Sequence, residues 1–119
     1  PLSLPYALPS SVSSDLGIGF AFSNYDDFWY FGDDLHSFPQ GTDQHELLAL
    51  VAPRPFLLIG GDEYDTDLSW QYINAARNVY DLYGQSRNIG YFNHRTGHTP
   101  SPEAVWLAFA WLKRYLPAE

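Results

Sequence analysis

Residues 55–61 read PFLLIGG, an apolar run that ends in two glycines. A short run without polar alternation is typical of a strand buried on both faces of a parallel sheet. Proline in the same region bounds the strand, since Pro53 and Pro55 disfavour helix in the residues ahead of them. The run therefore predicts a central strand.

The segments on either side of this strand predict helices. Asp43 can cap a short helix that contains QHELLALVA (44–52), with Glu46 completing an Asp-x-x-Glu box. A second helix should begin near Ser69 and stop at Gly84. Its apolar stripe has helical spacing and consists of Ile73, Ala76, Tyr80 and Tyr83.

The last third of the chain predicts one more strand and one more helix. The strand is NIGYFNH (88–94), and the helix begins with Ser101 as cap and Pro102 in the first turn. Because this helix is apolar on most faces, we expect it to be deeply packed.

The predicted order of elements indicates the fold class. A short strand in SVSSDLGIGFAF (11–22) precedes them, after an irregular lead-in at 1–10. Residues 23–42, rich in aromatic and acidic side chains, suit a long surface excursion. Strands that alternate with helices predict an α/β domain with a parallel sheet and helices on its faces.

Composition restricts the partners. The 119 residues contain six Lys+Arg against fourteen Asp+Glu, with Lys113 the single lysine, so a nucleic-acid partner is not expected. There is no cysteine for a disulfide or thiol catalysis, and no apolar run of membrane-spanning length. The sequence begins with proline and has no methionine, which predicts a processed chain or a piece of a longer one.

Two loops carry the residues that could do chemistry. GGDEYDTD (60–67) follows the central strand, and HRTGH (94–98) follows the next strand. The carboxyl ends of parallel strands meet at one edge of a sheet, where working residues gather. An acidic loop beside a histidine loop supplies two of the three members of a nucleophile–base–acid triad.

HELLALVAPRPFLLIGGDEYD (45–65) and YFNHRTGHTPSPEAVWLAFAWLKRYL (91–116) resemble the C-terminal half of an α/β-hydrolase. The closest likeness is to esterases of the dienelactone-hydrolase and acetylxylan-esterase type, over roughly residues 12–116. The resemblance implies a partial α/β-hydrolase fold of about three parallel strands. It also implies a catalytic histidine, His98, and an acid at Asp65, with Asp67 or Asp62 as alternates. The implied substrate is a small or carbohydrate ester, with no cofactor or metal.

The nucleophile of that family has no counterpart in this sequence. No Gly-x-Ser-x-Gly elbow occurs, because Ser86 lacks its second glycine and the early serines lack both: Ser10, Ser11, Ser13 and Ser14. The early oxyanion-hole loop is missing as well. We therefore expect the acid–base half of a serine esterase, inactive alone and able to self-associate through an open sheet edge.

Other interpretations stay open. A degenerate, non-catalytic hydrolase could bind a glycan or a protein through SNYDDFWYFGDD (23–34), and a metal site could use His94, His98 and Asp65. Asp26 and Asp27 could supply a supporting acid. Asp67 or Ser69 could cap the second helix. The remaining histidines have structural interpretations: His94 bonded locally at a strand end, His45 on a helix surface and His36 in a loop.

Overall fold

A computed structural model describes residues 11–14 and 37–116, and the predicted lead-in and most of the aromatic excursion lie outside them. Within these ranges the elements alternate along the chain. They are β1 (Ser11–Ser14), α1 (Gln44–Ala49), β2 (Phe56–Gly60), α2 (Ser69–Leu82), a short 3₁₀ helix (Ser86–Asn88), β3 (Ile89–Asn93) and α3 (Pro102–Tyr115). The strands pair in parallel in the order β1-β2-β3. The predicted α/β class, with parallel strands and flanking helices, is confirmed.

Strand β2 contributes to two hydrophobic cores at once. Phe56 and Leu58 join the core under α1 and α2, whereas Leu57 and Ile59 join the core under α3. Successive side chains of a strand point to opposite faces, so a run of apolar residues serves both. All five residues of β2 are buried, as the sequence predicted.

Helix α1 begins after Asp43, its predicted N-cap. The Asp43 carboxylate accepts the Gln44 N–H at 2.7 Å, and Leu48 is buried in the core. After the helix, the Arg54 guanidinium donates to the carbonyls of Leu50 and Val51 at 3.0 and 2.9 Å. Leu50 is the C-cap of α1 and Val51 follows it, so these carbonyls lie where helical partners run out.

Helix α2 confirms most of its predicted stripe. Ile73, Ala76 and Tyr80 are buried, but Tyr83 is 57% exposed because it follows the last helical residue. The predicted cap is also wrong. Leu68 occupies the N-cap position, and no side chain caps the helix. The Ser69 hydroxyl bonds to Asp65 instead, and the Asp67 carboxylate bonds to Arg95.

Helix α3 begins as predicted, with the Ser101 hydroxyl accepting the Ala104 N–H at 3.2 Å. The expectation of deep packing is wrong. Ala104 is its buried residue, while Trp106 and Phe109 are 71% and 69% exposed. One face of the helix packs on β1 and β2, and much of its remaining apolar surface is exposed. No helix in 37–116 is long and apolar enough to span a membrane.

Buried tyrosine hydroxyls should make the fold sensitive to alkali. Burial raises the pKa of Tyr80 to about 12, while its hydroxyl donates to the Arg54 carbonyl at 2.8 Å. A raised pKa stabilises the folded state below pH 10, and this stabilisation is lost as the pH rises toward 12. By pH 11 the loss for Tyr80 is about 1 kcal/mol.

We expect the free energy of unfolding to fall less between pH 8 and pH 11 in Tyr80→Phe than in the unaltered chain. Urea denaturation at both pH values measures the difference. Tyr83→Phe is the matched control, because the Tyr83 side chain is exposed. An equal fall in the unaltered chain and in Tyr80→Phe would contradict the assignment to Tyr80.

The apolar surface of α3 should promote self-association. Phe109 and Val105 line a groove of about 220 Å³ that also includes Val12 of β1. Phe109→Glu should therefore reduce the oligomer fraction measured by sedimentation equilibrium, since a charge would be buried on association. Leu82→Glu, at an exposed residue at the end of α2, should leave that fraction unchanged. A monomeric unaltered chain at all concentrations would contradict the prediction.

Candidate functional site

The loops after β2 and β3 meet at the carboxyl edge of the sheet. Gly60 pairs with Asn93 in the parallel register, and backbone bonds then continue past the strands. The His94 N–H donates to the Gly60 carbonyl at 2.9 Å, and the Gly97 N–H donates to the Gly61 carbonyl at 2.8 Å. The acidic loop and the histidine loop therefore lie together at the edge of the sheet where the sequence predicted them.

Glycine is required at Gly61 for this approach. A Cβ on Gly61 would collide with the Gly97 carbonyl oxygen and would lie 2.8 Å from His94 Cε1. Gly97 itself has a φ of +74°, in the left-handed region that favours glycine. The two glycines let the loops touch backbone to backbone.

This contact brings His98 to a carboxylate. His98 Nε2 lies 2.6 Å from Glu63 Oε2, and the Tyr64 ring lies against the imidazole with 5.3 Å between centroids. The side chains of His98 and Glu63 are 60% and 44% exposed. The pair therefore lies at the surface, where a second molecule or segment can reach it.

A carboxylate at this distance favours the protonated imidazole and fixes the orientation of the ring. Such a pair can take up a proton and return it, which is what general acid–base catalysis requires. The arrangement departs from the Ser-His-Asp pattern in one respect. There the carboxylate binds Nδ1, whereas Glu63 contacts Nε2.

The predicted acid, Asp65, is fully buried one turn before α2. The Ser69 hydroxyl donates to its Oδ1 at 3.0 Å, and its backbone carbonyl accepts the Asp62 N–H at 3.1 Å. These bonds close the loop on itself and join it to the first turn of the helix. The assignment of Asp65 as the partner of His98 stays a prediction.

The alternate acids, Asp67 and Asp62, both pair with Arg95 of the opposite loop. Arg95 Nη2 lies 2.9 Å from each carboxylate oxygen of Asp67, and Nη1 lies 3.2 Å from Asp62 Oδ2. The hydrogen bond from Arg95, and then that from Asn93, hold the pKa of Asp67 below its usual value. This ion pair is therefore present at neutral pH and is lost as the pH falls through that lowered pKa.

The remaining histidines have local partners. His94 Nδ1 lies 2.6 Å from Thr96 Oγ1 and accepts the Thr96 N–H, which confirms the predicted local bonding at a strand end. His45 lies on α1, where its ring stacks on Tyr72 with 6.4 Å between centroids. His36, Asp26, Asp27 and the stretch 23–34 lie outside the described residues.

Comparison with known proteins adds no relative. No protein family, curated protein or solved structure matches the chain. Within 11–14 and 37–116, no group of three histidine or acidic side chains is arranged to hold a metal ion. The interpretation of the site rests on the contacts of Glu63, His98 and their neighbours.

We expect Glu63→Gln to lower the pKa of His98, because a neutral amide stabilises the imidazolium less than a carboxylate does. Asp67→Asn should lower it by less than Glu63→Gln does, since the Asp67 carboxylate pairs with Arg95 and acts on His98 through the position of the loops. NMR titration of His98 measures both effects, with His45 in the same spectra as the internal reference.

Asp65→Asn decides in the same titration whether Asp65 or Glu63 is the partner of His98. A dispersed amide spectrum must first show that this variant is folded. If Asp65→Asn lowers the pKa of His98 and Glu63→Gln does not, Asp65 is the partner of His98 and the contact with Glu63 is incidental. If none of the three variants changes it, His98 is not part of an acid–histidine pair.

Proposed function

We propose that this chain carries the acid–base half of a serine carboxylic-ester hydrolase that acts on small or carbohydrate esters. The observation that supports this most is the contact of 2.6 Å between His98 and Glu63, at the carboxyl edge of a parallel sheet. In open α/β sheets this edge is where ligands bind. An exposed acid–histidine pair in this position suits proton transfer to and from a substrate.

His98 is the general base and then the general acid in the proposed reaction. It takes the proton of a serine hydroxyl while the serine oxygen forms a bond to the ester carbonyl carbon. The tetrahedral intermediate then breaks its bond to the leaving alcohol, which receives the proton from the imidazolium. Water then attacks the acylated serine with the same two proton transfers through His98, which releases the carboxylic acid and restores the serine hydroxyl.

Glu63 stabilises the imidazolium that forms in both steps. Its carboxylate contacts one ring nitrogen, and the proton is exchanged at the opposite one. Asp65 is the acid that the resemblance to the hydrolases implies, and the titration of Asp65→Asn decides between them. In either case the role is to orient and stabilise, and the carboxylate does not itself take the proton.

The serine and the oxyanion-hole donors are assigned to a segment outside these 119 residues. The sequence has no Gly-x-Ser-x-Gly motif that could present a nucleophile. In this proposal, β1, β2 and β3 with their helices are the C-terminal part of an α/β-hydrolase sheet.

A serine-directed fluorophosphonate probe tests the proposal. The probe is applied to the protein encoded by the reading frame, including any sequence upstream of residue 1, and to the 119-residue chain alone. We expect covalent labelling and acetyl-ester turnover in the first and no more than buffer rates in the second. His98→Ala should lower kcat/KM by roughly 10³-fold or more.

His45→Ala is the matched control, because His45 stacks on Tyr72 of α2. Its turnover should equal that of the unaltered protein. If the protein from the full reading frame is neither labelled nor active, the esterase proposal fails and a binding module becomes the better interpretation. Turnover by the 119-residue chain alone, abolished in His98→Ala, would place the nucleophile within these residues.

A further inference from the structure

Arg95 lies at the centre of a closed polar network between the two loops of the site. Its guanidinium spans Asp62 and Asp67, both on the loop after β2. The side-chain amide of Asn93 donates through Nδ2 to the same two carboxylates, and its Oδ1 accepts the backbone N–H of Arg95 at 3.0 Å. We name these four residues the Arg95 clasp. It joins the end of β3 to both ends of the acidic turn.

Two members of the clasp hold an uncommon backbone conformation. Asp62 has a φ of +68° and Arg95 a φ of +61°, in the left-handed region that residues with a Cβ rarely adopt. Asp62 and Arg95 are in direct contact with each other, through Arg95 Nη1 and Asp62 Oδ2. Strained residues persist where surrounding contacts over-determine them, and here each supplies the contact that holds the other.

The clasp lies beside the acid–histidine pair without touching the imidazole in any contact described above. Asp62 is the residue before Glu63, and Arg95 lies three residues before His98. Between them the Gly97 N–H donates to the Gly61 carbonyl, and a Cβ on Gly97 would lie 3.7 Å from Glu63 Oε1. A change in the separation of the loops would therefore change the distance from His98 to Glu63.

We propose that Arg95 is a positioning residue that fixes the separation of the two loops and thereby holds His98 against Glu63. The side chains of Arg95 and Asp67 are 57% and 61% exposed, so the ion pairs contribute little to global stability. Their effect is local, on the geometry of the two loops. The catalytic consequence rests on the proposed function, whereas the geometric effect does not.

Arginine is suited to this role and lysine is not. The planar guanidinium makes two bonds to Asp67 and a third to Asp62 in one fixed geometry. A lysine ammonium is a point charge that cannot hold both carboxylates in the same orientation. Arg95→Lys keeps the positive charge near Glu63 and His98 but removes the clasp. This variant therefore distinguishes the effect of loop geometry on His98 from the effect of charge.

Amide hydrogen exchange of Gly97 measures the clasp directly, because its N–H bonds to the opposite loop. We expect Arg95→Met and Arg95→Lys to raise the exchange rate of the Gly97 amide about tenfold, with the amides of β2 and α2 unchanged. Arg87→Met is the matched control, since Arg87 lies before β3, at its opposite end. An unchanged rate for the Gly97 amide in Arg95→Met would overturn the proposal.

Titration of His98 then measures what the clasp does for the pair. We expect the lowering of the His98 pKa by Glu63→Gln to be less than half as large in the Arg95→Met and Arg95→Lys backgrounds as in the unaltered chain. A full effect in Arg95→Lys would show that charge alone is sufficient, and would overturn the assignment of a positioning role. Arg87→Met should preserve the full effect.

Gly97 amide exchange and the His98 titration test the Arg95 proposal and the proposed function separately. If neither Glu63→Gln nor Asp65→Asn has an effect on His98 in any background, the acid–histidine pair and the function proposed from it are contradicted, while the Gly97 exchange rates still decide whether Arg95 fixes the loops. If both predictions on Arg95 hold, Arg95→Met in the active protein should lower kcat more than it raises KM.

Discussion

The parallel pairing of β2 with β3 is continued by backbone hydrogen bonds into the loops that follow. The Gly60 carbonyl accepts from His94, and the Gly61 carbonyl accepts from Gly97, so the backbones of the two loops stay in contact beyond the sheet. Everything at the candidate site depends on this continuation. It places Glu63 opposite His98 and Asp62 opposite Arg95, on backbone that would otherwise separate as the strands end.

The elements were predictable because their patterns are local. The apolar run of β2, the cap at Asp43 and the Ser101–Pro102 start of α3 each express a preference of a few neighbouring residues. The errors arise where burial depends on distant parts of the chain. Helix α3 is apolar on most faces in sequence, but only one face meets the sheet, and nothing local distinguishes that face from the others.

The position of the site could be predicted, but its carboxylate could not. Topology places both loops at one edge, whereas the direction of each side chain in the acidic turn depends on tertiary bonds. Asp65 turns inward to Ser69, and Asp67 is held by Arg95 from the other loop. Glu63 was one of four acidic residues in the turn, and no spacing rule singles it out. Arg95 within HRTGH was the one indication in the sequence that a basic side chain of the histidine loop would pair with the acidic loop.

Gly61 has no room for a side chain, and this restricts which residues can bridge the two loops of the site. Because the two backbones are already in contact there, the gap across the edge has a minimum width that no rearrangement of residue 61 can reduce. Reach across the gap must then come from the length of the side chains. A glutamate extends about 1.5 Å further than an aspartate through its additional methylene. With the backbones at closest approach, the choice between these two residues at position 63 decides whether the carboxylate of that residue touches His98 or stops one carbon short of it.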